Sequence, residues 1–163
     1  MLGPLPDVAR PAGLLRSQPG AQGLDHTDHA IYSPRVPFFR VRGYAPLLEA
    51  PFRASVISMP APNLRYAPRT PPTDAVTEIF RRRWSKVLAL AIHQGHRTVL
   101  LGAWGCGAFR NDPYEVARAA RDTLDDPRFA GHLDRVVFAI PEMGPVSRLC
   151  QRGFRQQLFG GTA

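Results

Sequence analysis

The sequence predicts a mixed α/β domain, and three observations predict it. From Thr73 onward the segments alternate in the order helix, strand, helix, strand, helix, which is the pattern of a sheet carrying helices on its faces. Two of the strand-like runs, "TVLLGA" (98–103) and "RVVFAI" (135–140), are nearly all apolar, as in strands covered on both faces. Gly102, Gly105 and Gly107 then lie between the first of these runs and the helix that follows it. The 163 residues suffice for one domain with a substantial core.

The elements follow in order. Residues 1–27 contain Pro4, Pro6, Pro11 and Pro19 and hold no sustained period, so they read as a disordered or irregular leader to a domain at 28–160. "AIYSP" predicts a short strand stopped by Pro34, and "VPFFRVRG" a second reaching Gly43. "FRASVISM" (52–59) alternates and predicts a third strand, after which the prolines of "PAPN" and "RYAPRTPPT" exclude a central strand.

The clearest helix starts at Thr73 or Asp74, either of which has the chemistry of a cap. Val76, Ile79, Phe80, Trp84, Val87, Leu88, Ala91 and Ile92 make one apolar stripe along it, and Gly95 marks its end. Asp112-Pro113-Tyr114-Glu115 predicts the next helix start, with Asp112 as N-cap, Pro113 at the first helical position and Glu115 completing a capping box. Ser147 is the expected cap of a last helix bearing Leu149, Cys150, Phe154 and Leu158.

Composition excludes several classes. No apolar run reaches the ~18 residues of a membrane span, and the N-terminus has no basic segment leading into an apolar one, so it is not a secretory signal. Cys106 and Cys150 have neither metal nor redox spacing, and a reduced, cytoplasmic setting is expected. The net charge is +8, from 21 basic residues of which only Lys86 is a lysine. Such a surface favours polyanionic partners, phosphate-bearing ligands among them. Arg81, Arg82 and Arg83 form the densest cluster, read here as a solvated helix face or, alternatively, as the core of a basic nucleic-acid-binding module.

The glycine loop carries the chemistry. Ligands of open α/β sheets bind beyond the carboxyl ends of strands, which is where "GAWGCGAF" falls. Glycine admits positive φ and lets a ligand approach the peptide plane. Exposed amides ahead of a helix N-terminus then form an anion site. No lysine follows the glycines, so this is no P-loop, and Arg110 breaks the dinucleotide pattern G-x-G-x-x-G. The expectation is a backbone diphosphate cradle closed by Phe109, set against a simple tight turn without a ligand.

"VLLGAWGCGAFRNDP", together with "AIYSPRVPFFR", "VISMPAPN" and "RVVFAI", resembles the microbial-type poly(ADP-ribose) glycohydrolases, a divergent branch of the macrodomain fold. The resemblance runs from about Asp28 to Phe159 with motif order kept. It implies a three-layer α/β/α macrodomain-like sandwich with a mixed sheet, its N-terminal portion missing, and ADP-ribose or poly(ADP-ribose) as ligand. By that resemblance Gly102, Ala103, Gly105, Cys106, Gly107, Ala108 and Phe109 hold the diphosphate and ribose. No cofactor or metal is implied. Family enzymes carry a triple glycine and a Gln-Glu-Glu ahead of the "YSP" motif, the second glutamate being the general acid. Here no triple glycine occurs, and the acids before Ile31 are Asp7, Asp25 and Asp28. The chain therefore reads as the C-terminal part of such an enzyme, inactive alone, with a remnant without function as a further alternative. A separate chain supplying the absent part is its expected partner.

Other candidates carry less. His26, Asp28 and His29 are too few and too local for a metal site. Cys106 lies at a helix entry, where thiols become reactive, yet it has no positioned base. Asn63 either neighbours the ligand or closes a turn.

Overall fold

The computed structural model describes residues 28–41, 45–67 and 71–160. The leader read at 1–27, including His26, lies outside the described residues. The elements are strand β1 (Ile31–Arg40), strand β2 (Leu47–Ser58), helix α1 (Thr73–His93), strand β3 (Thr98–Leu101), helix α2 (Pro113–Leu124), strand β4 (Arg135–Phe138) and helix α3 (Pro145–Phe159). This is the mixed α/β, macrodomain-like class expected from the sequence. Its strands form two separate pairs: β1 runs antiparallel to β2, and β3 parallel to β4.

The two short strands expected around Pro34 are one. Between Ser33 and Val36 the register shifts, and Arg35 takes φ 52°, so the chain bulges past the proline and resumes pairing. Pro34 and Pro37 are tolerated because β1 is an edge strand.

Helix α1 buries the predicted stripe: Phe80, Trp84, Leu88 and Ala91 are all 3 % exposed or less. Its start differs from the expectation. Pro72 is the N-cap and has no side chain to offer, so its carbonyl receives the amides of Ala75 and Val76. Asp74 sits in the first turn, where a carboxylate complements the helix dipole. Gly95 ends the helix with φ +78°.

The Arg81–Arg83 run is not one solvated face. Arg81 pairs with Asp122, Arg82 with Asp28, and Arg83 is fully buried, donating to Asp28 Oδ1 at 2.7 Å and to the Pro60 carbonyl at 3.0 Å. A buried guanidinium persists only when its donors are met, and Asp28 meets them together with the loop after β2. Asp28 is thus a structural counter-ion. No group of metal-ligating side chains occurs among the described residues.

The three helices pack on one face of β3–β4. Val99 and Leu101, paired with Val136 and Phe138, point toward α1 and α3. Leu100 on the opposite face is 72 % exposed, so β3 is not covered on both faces as its apolar run predicts. Apolar character in a strand records what a face is suited to cover, and here the described residues supply one helical layer. Helix α2 bridges α1 and α3 through Ala117, Ala119 and Ala120, whose small side chains allow close approach. Gly153 serves the same end on α3: a Cβ there would lie 3.2 Å from the backbone of Pro113 and Tyr114.

Candidate anion-binding site

The site is built where β3 ends. Parallel pairing places the carboxyl ends of β3 and β4 side by side. The loop after β3 and the loop after β4 leading into α3 therefore flank one cleft of about 400 Å³. Ala103 and Gly107 line one side, and Ile140, Met143, Val146 and Cys150 the other. Helix α3 presents its N-terminus here, with Gly144 as N-cap and Pro145 first in the helix. Ser147 is not the cap expected of it. It lies inside the first turn, accepting from the Met143 amide and donating to the Gly144 carbonyl. The positive end of the α3 dipole is thus directed at the cleft. No carboxylate lines it.

Successive tight turns shape the glycine loop. The Trp104 amide donates to Gly102 O, Cys106 to Ala103 O, and Arg110 to Gly107 O. Gly105 has φ +77°, and a Cβ on it would meet Asn111 Nδ2 at 2.7 Å and Ala61 Cβ at 2.8 Å. Glycine is required there on both counts. Trp104 fixes the loop from below, edge-on to Phe80 and to Trp84 at 5.9 and 5.0 Å between ring centroids. The Phe109 carbonyl accepts from the Leu64 amide at 3.0 Å, and the Phe109 ring packs against the core cluster.

The predicted residues divide accordingly. Gly107 and Ala108 are exposed, and among the described residues no hydrogen bond engages their amides. Gly107 also has open space where a Cβ would stand. The Cys106 amide is committed to Ala103 O, and its side chain is 5 % exposed with the thiol donating to Trp104 O. Burial pushes that thiol well above the usual cysteine range, with Cys150 adding to the shift. It is no nucleophile. Gly102 and Ala103 form the strand end at the mouth of the cleft.

Asn111 is the residue that sequence reasoning passed over. It is 3 % exposed, and its Nδ2 donates at 2.8 Å both to Pro62 O and to Gly105 O. One side chain therefore ties the "PAPN" segment to the glycine loop. Asn63 serves the turn alone, accepting from the Arg65 amide. Asp112 caps α2 as expected, receiving the amides of Tyr114 and Glu115. Glu115 does not complete a capping box; its carboxylate accepts from Thr77 Oγ1 and from Arg118, because α1 packs close enough to divert it.

No protein-family model matches the chain, and no curated protein matches it. Solved structures do. The poly(ADP-ribose) glycohydrolase of Deinococcus radiodurans in complex with ADP-ribose is 38 % identical with a TM-score of 0.73, over 83 % of this chain and 54 % of that one. The poly(ADP-ribose) glycohydrolase of Thermomonospora curvata is 43 % identical with a TM-score of 0.70, over 78 % of this chain and 48 % of that one. The same enzyme bound to the inhibitor ADP-HPD matches at 43 % identity over 77 % of this chain. The chain spans about half the length of the solved structures it matches. Identity at this level across most of the chain, on a shared fold, places it in the microbial-type poly(ADP-ribose) glycohydrolase family.

Proposed function

We propose that this chain binds the diphosphate of ADP-ribose through the amides of the 102–109 loop and the N-terminus of α3, and that alone it does not hydrolyse poly(ADP-ribose). The observation that carries this reading is the pair of amides at Gly107 and Ala108, exposed and without partners among the described residues, at the rim of a cleft that no carboxylate lines. Backbone amides beside a helix N-terminus suit phosphate oxygens. The bound ADP-ribose of the Deinococcus radiodurans structure supports the identity of the ligand.

Cleavage of a ribose–ribose bond needs a carboxylic acid at the leaving oxygen. The sequence holds no Gln-Glu-Glu, and its acids near the site are occupied elsewhere: Asp112 by the α2 cap, Glu115 by Thr77 and Arg118. Activity on this reading requires a separate polypeptide that brings the acid.

Calorimetry of the full chain with ADP-ribose tests the binding. Expected is a one-site isotherm for the native sequence and none for Gly107→Glu, whose carboxylate would stand in the anion site. An unchanged isotherm for that variant overturns the site. Release of ADP-ribose from the polymer by the purified chain overturns the second half.

A further inference from the structure

Strand β2 is bonded only to β1, and β3 only to β4. Each therefore keeps one unpaired edge, a row of amides and carbonyls available to another strand. Both border the same groove, of about 580 Å³. Residues 53–57 of β2 and 98–101 of β3 line it consecutively. Side chains alternate between the faces of a strand, so an unbroken run of lining residues marks an edge; a face would contribute every second residue. Val87 and Ala91 of α1 form the floor, and Leu100, 72 % exposed, lies at the open side. One end is closed by Tyr32, whose Oη is 2.8 Å from His96 Nε2 and 3.0 Å from Ser55 Oγ. Arg35 and Arg53 also line the groove, with no acidic residue among the lining and no ion pair to either among the described residues.

We propose that this groove receives a single extended strand of a second polypeptide, hydrogen-bonded along both edges and joining the two strand pairs into one sheet. The inference deepens the reading that a separate chain contributes to the site, and gives that chain its seat. The inserted strand is four to five residues long, the length of the lining runs. It is apolar on the side facing Val87 and Ala91, apolar again beside Leu100, and acidic near Arg35 and Arg53. A strand paired on both sides needs its amides, which excludes proline. Residues 1–27 fit poorly, with prolines at 4, 6, 11 and 19 and one adjacent apolar pair, Leu14-Leu15, between Gly13 and Arg16.

The experiment has two arms and does not use ADP-ribose, so its outcome is separate from that of ligand binding. First, hydrogen exchange of the full chain alone should find those β3 amides that point away from β4 exchanging at least tenfold faster than those paired to it. Equal protection would mean that the groove is already filled and would overturn the proposal. If deleting residues 1–27 removes that protection, the leader is the occupant. Second, the portion of the Thermomonospora curvata glycohydrolase that this chain does not match is co-expressed with it. Native mass spectrometry should give a one-to-one complex in which those amides become protected, and Leu100→Lys should lower its recovery at least tenfold. Leu100 is exposed, so that variant should keep the unaltered melting temperature of the chain alone. No complex, a complex indifferent to Leu100→Lys, or a homodimer that Leu100→Lys dissolves would each overturn the proposal.

Discussion

The side-chain amide of Asn111 occupies the place where a Cβ on Gly105 would stand, 2.7 Å from that position, and donates at 2.8 Å to the Gly105 carbonyl and to Pro62 O. The turn of the loop and the anchor of the loop are thus one arrangement. A side chain at 105 would expel the anchor, and loss of the anchor would leave two buried carbonyls unpaired.

Gly105→Ala should therefore destabilise the chain by about 2–4 kcal/mol, from a positive-φ alanine and a forced displacement of Asn111. For a chain of this size that lowers the melting temperature by roughly 5–15 °C. Gly107→Ala should change stability by less than about 0.5 kcal/mol, since nothing stands within 4 Å of the new methyl group. Thermal melts of the two variants check both values; equal losses would mean that the loop is not held as described.

Asn111→Ala should cost about 2–3 kcal/mol through the unpaired carbonyls of Pro62 and Gly105. It should also weaken ADP-ribose binding, although Asn111 does not line the cleft. Calorimetry beside a melt at each ligand concentration separates the two effects; an unchanged affinity would show that the Gly107 and Ala108 amides do not depend on the anchor.

Asp28 links stability to pH. Burial raises its pKa, but hydrogen bonds and charge from Arg82 and Arg83 outweigh that, and the net displacement is downward. A depressed carboxylate contributes stability that is complete above its unfolded value near 3.9 and is lost as pH falls through its lower folded value. Asp28→Asn should remove that part of the acid dependence. It should also cost about 3 kcal/mol at pH 7, because Arg83 stays buried without its counter-ion. Urea melts between pH 2.5 and 7 measure both effects, and parallel curves for the two proteins would contradict the assignment.

Cys106 should resist alkylation. Its thiol is buried and displaced away from ionisation, so iodoacetamide at pH 8 should modify it only as fast as the chain unfolds. Peptide mass mapping with and without 6 M urea distinguishes the cases, and rapid native labelling would reinstate a reactive cysteine at the site.

What the sequence by itself determined is local. The stripe of α1, the Asp112-Pro113 start of α2 and a glycine loop directly after an apolar strand were all legible, because a helical period, a fixed φ and a cap bond act within a few residues. Even the departure from the family's acidic motif was readable as a string of letters. Tertiary structure decided the rest. Arg83 reads as a surface arginine until Asp28, 55 positions away, and the Pro60 carbonyl enclose it. Asn111 reads as part of a turn until Pro62, 49 positions away, arrives beside it. Glu115 left its own helix for Thr77 on α1. The division of the strands into two pairs, with the edges of β2 and β3 turned to one groove, has no local signature at all. Strand pairing and burial are set by which segments become neighbours in space, and neither φ preference nor periodicity names the neighbour.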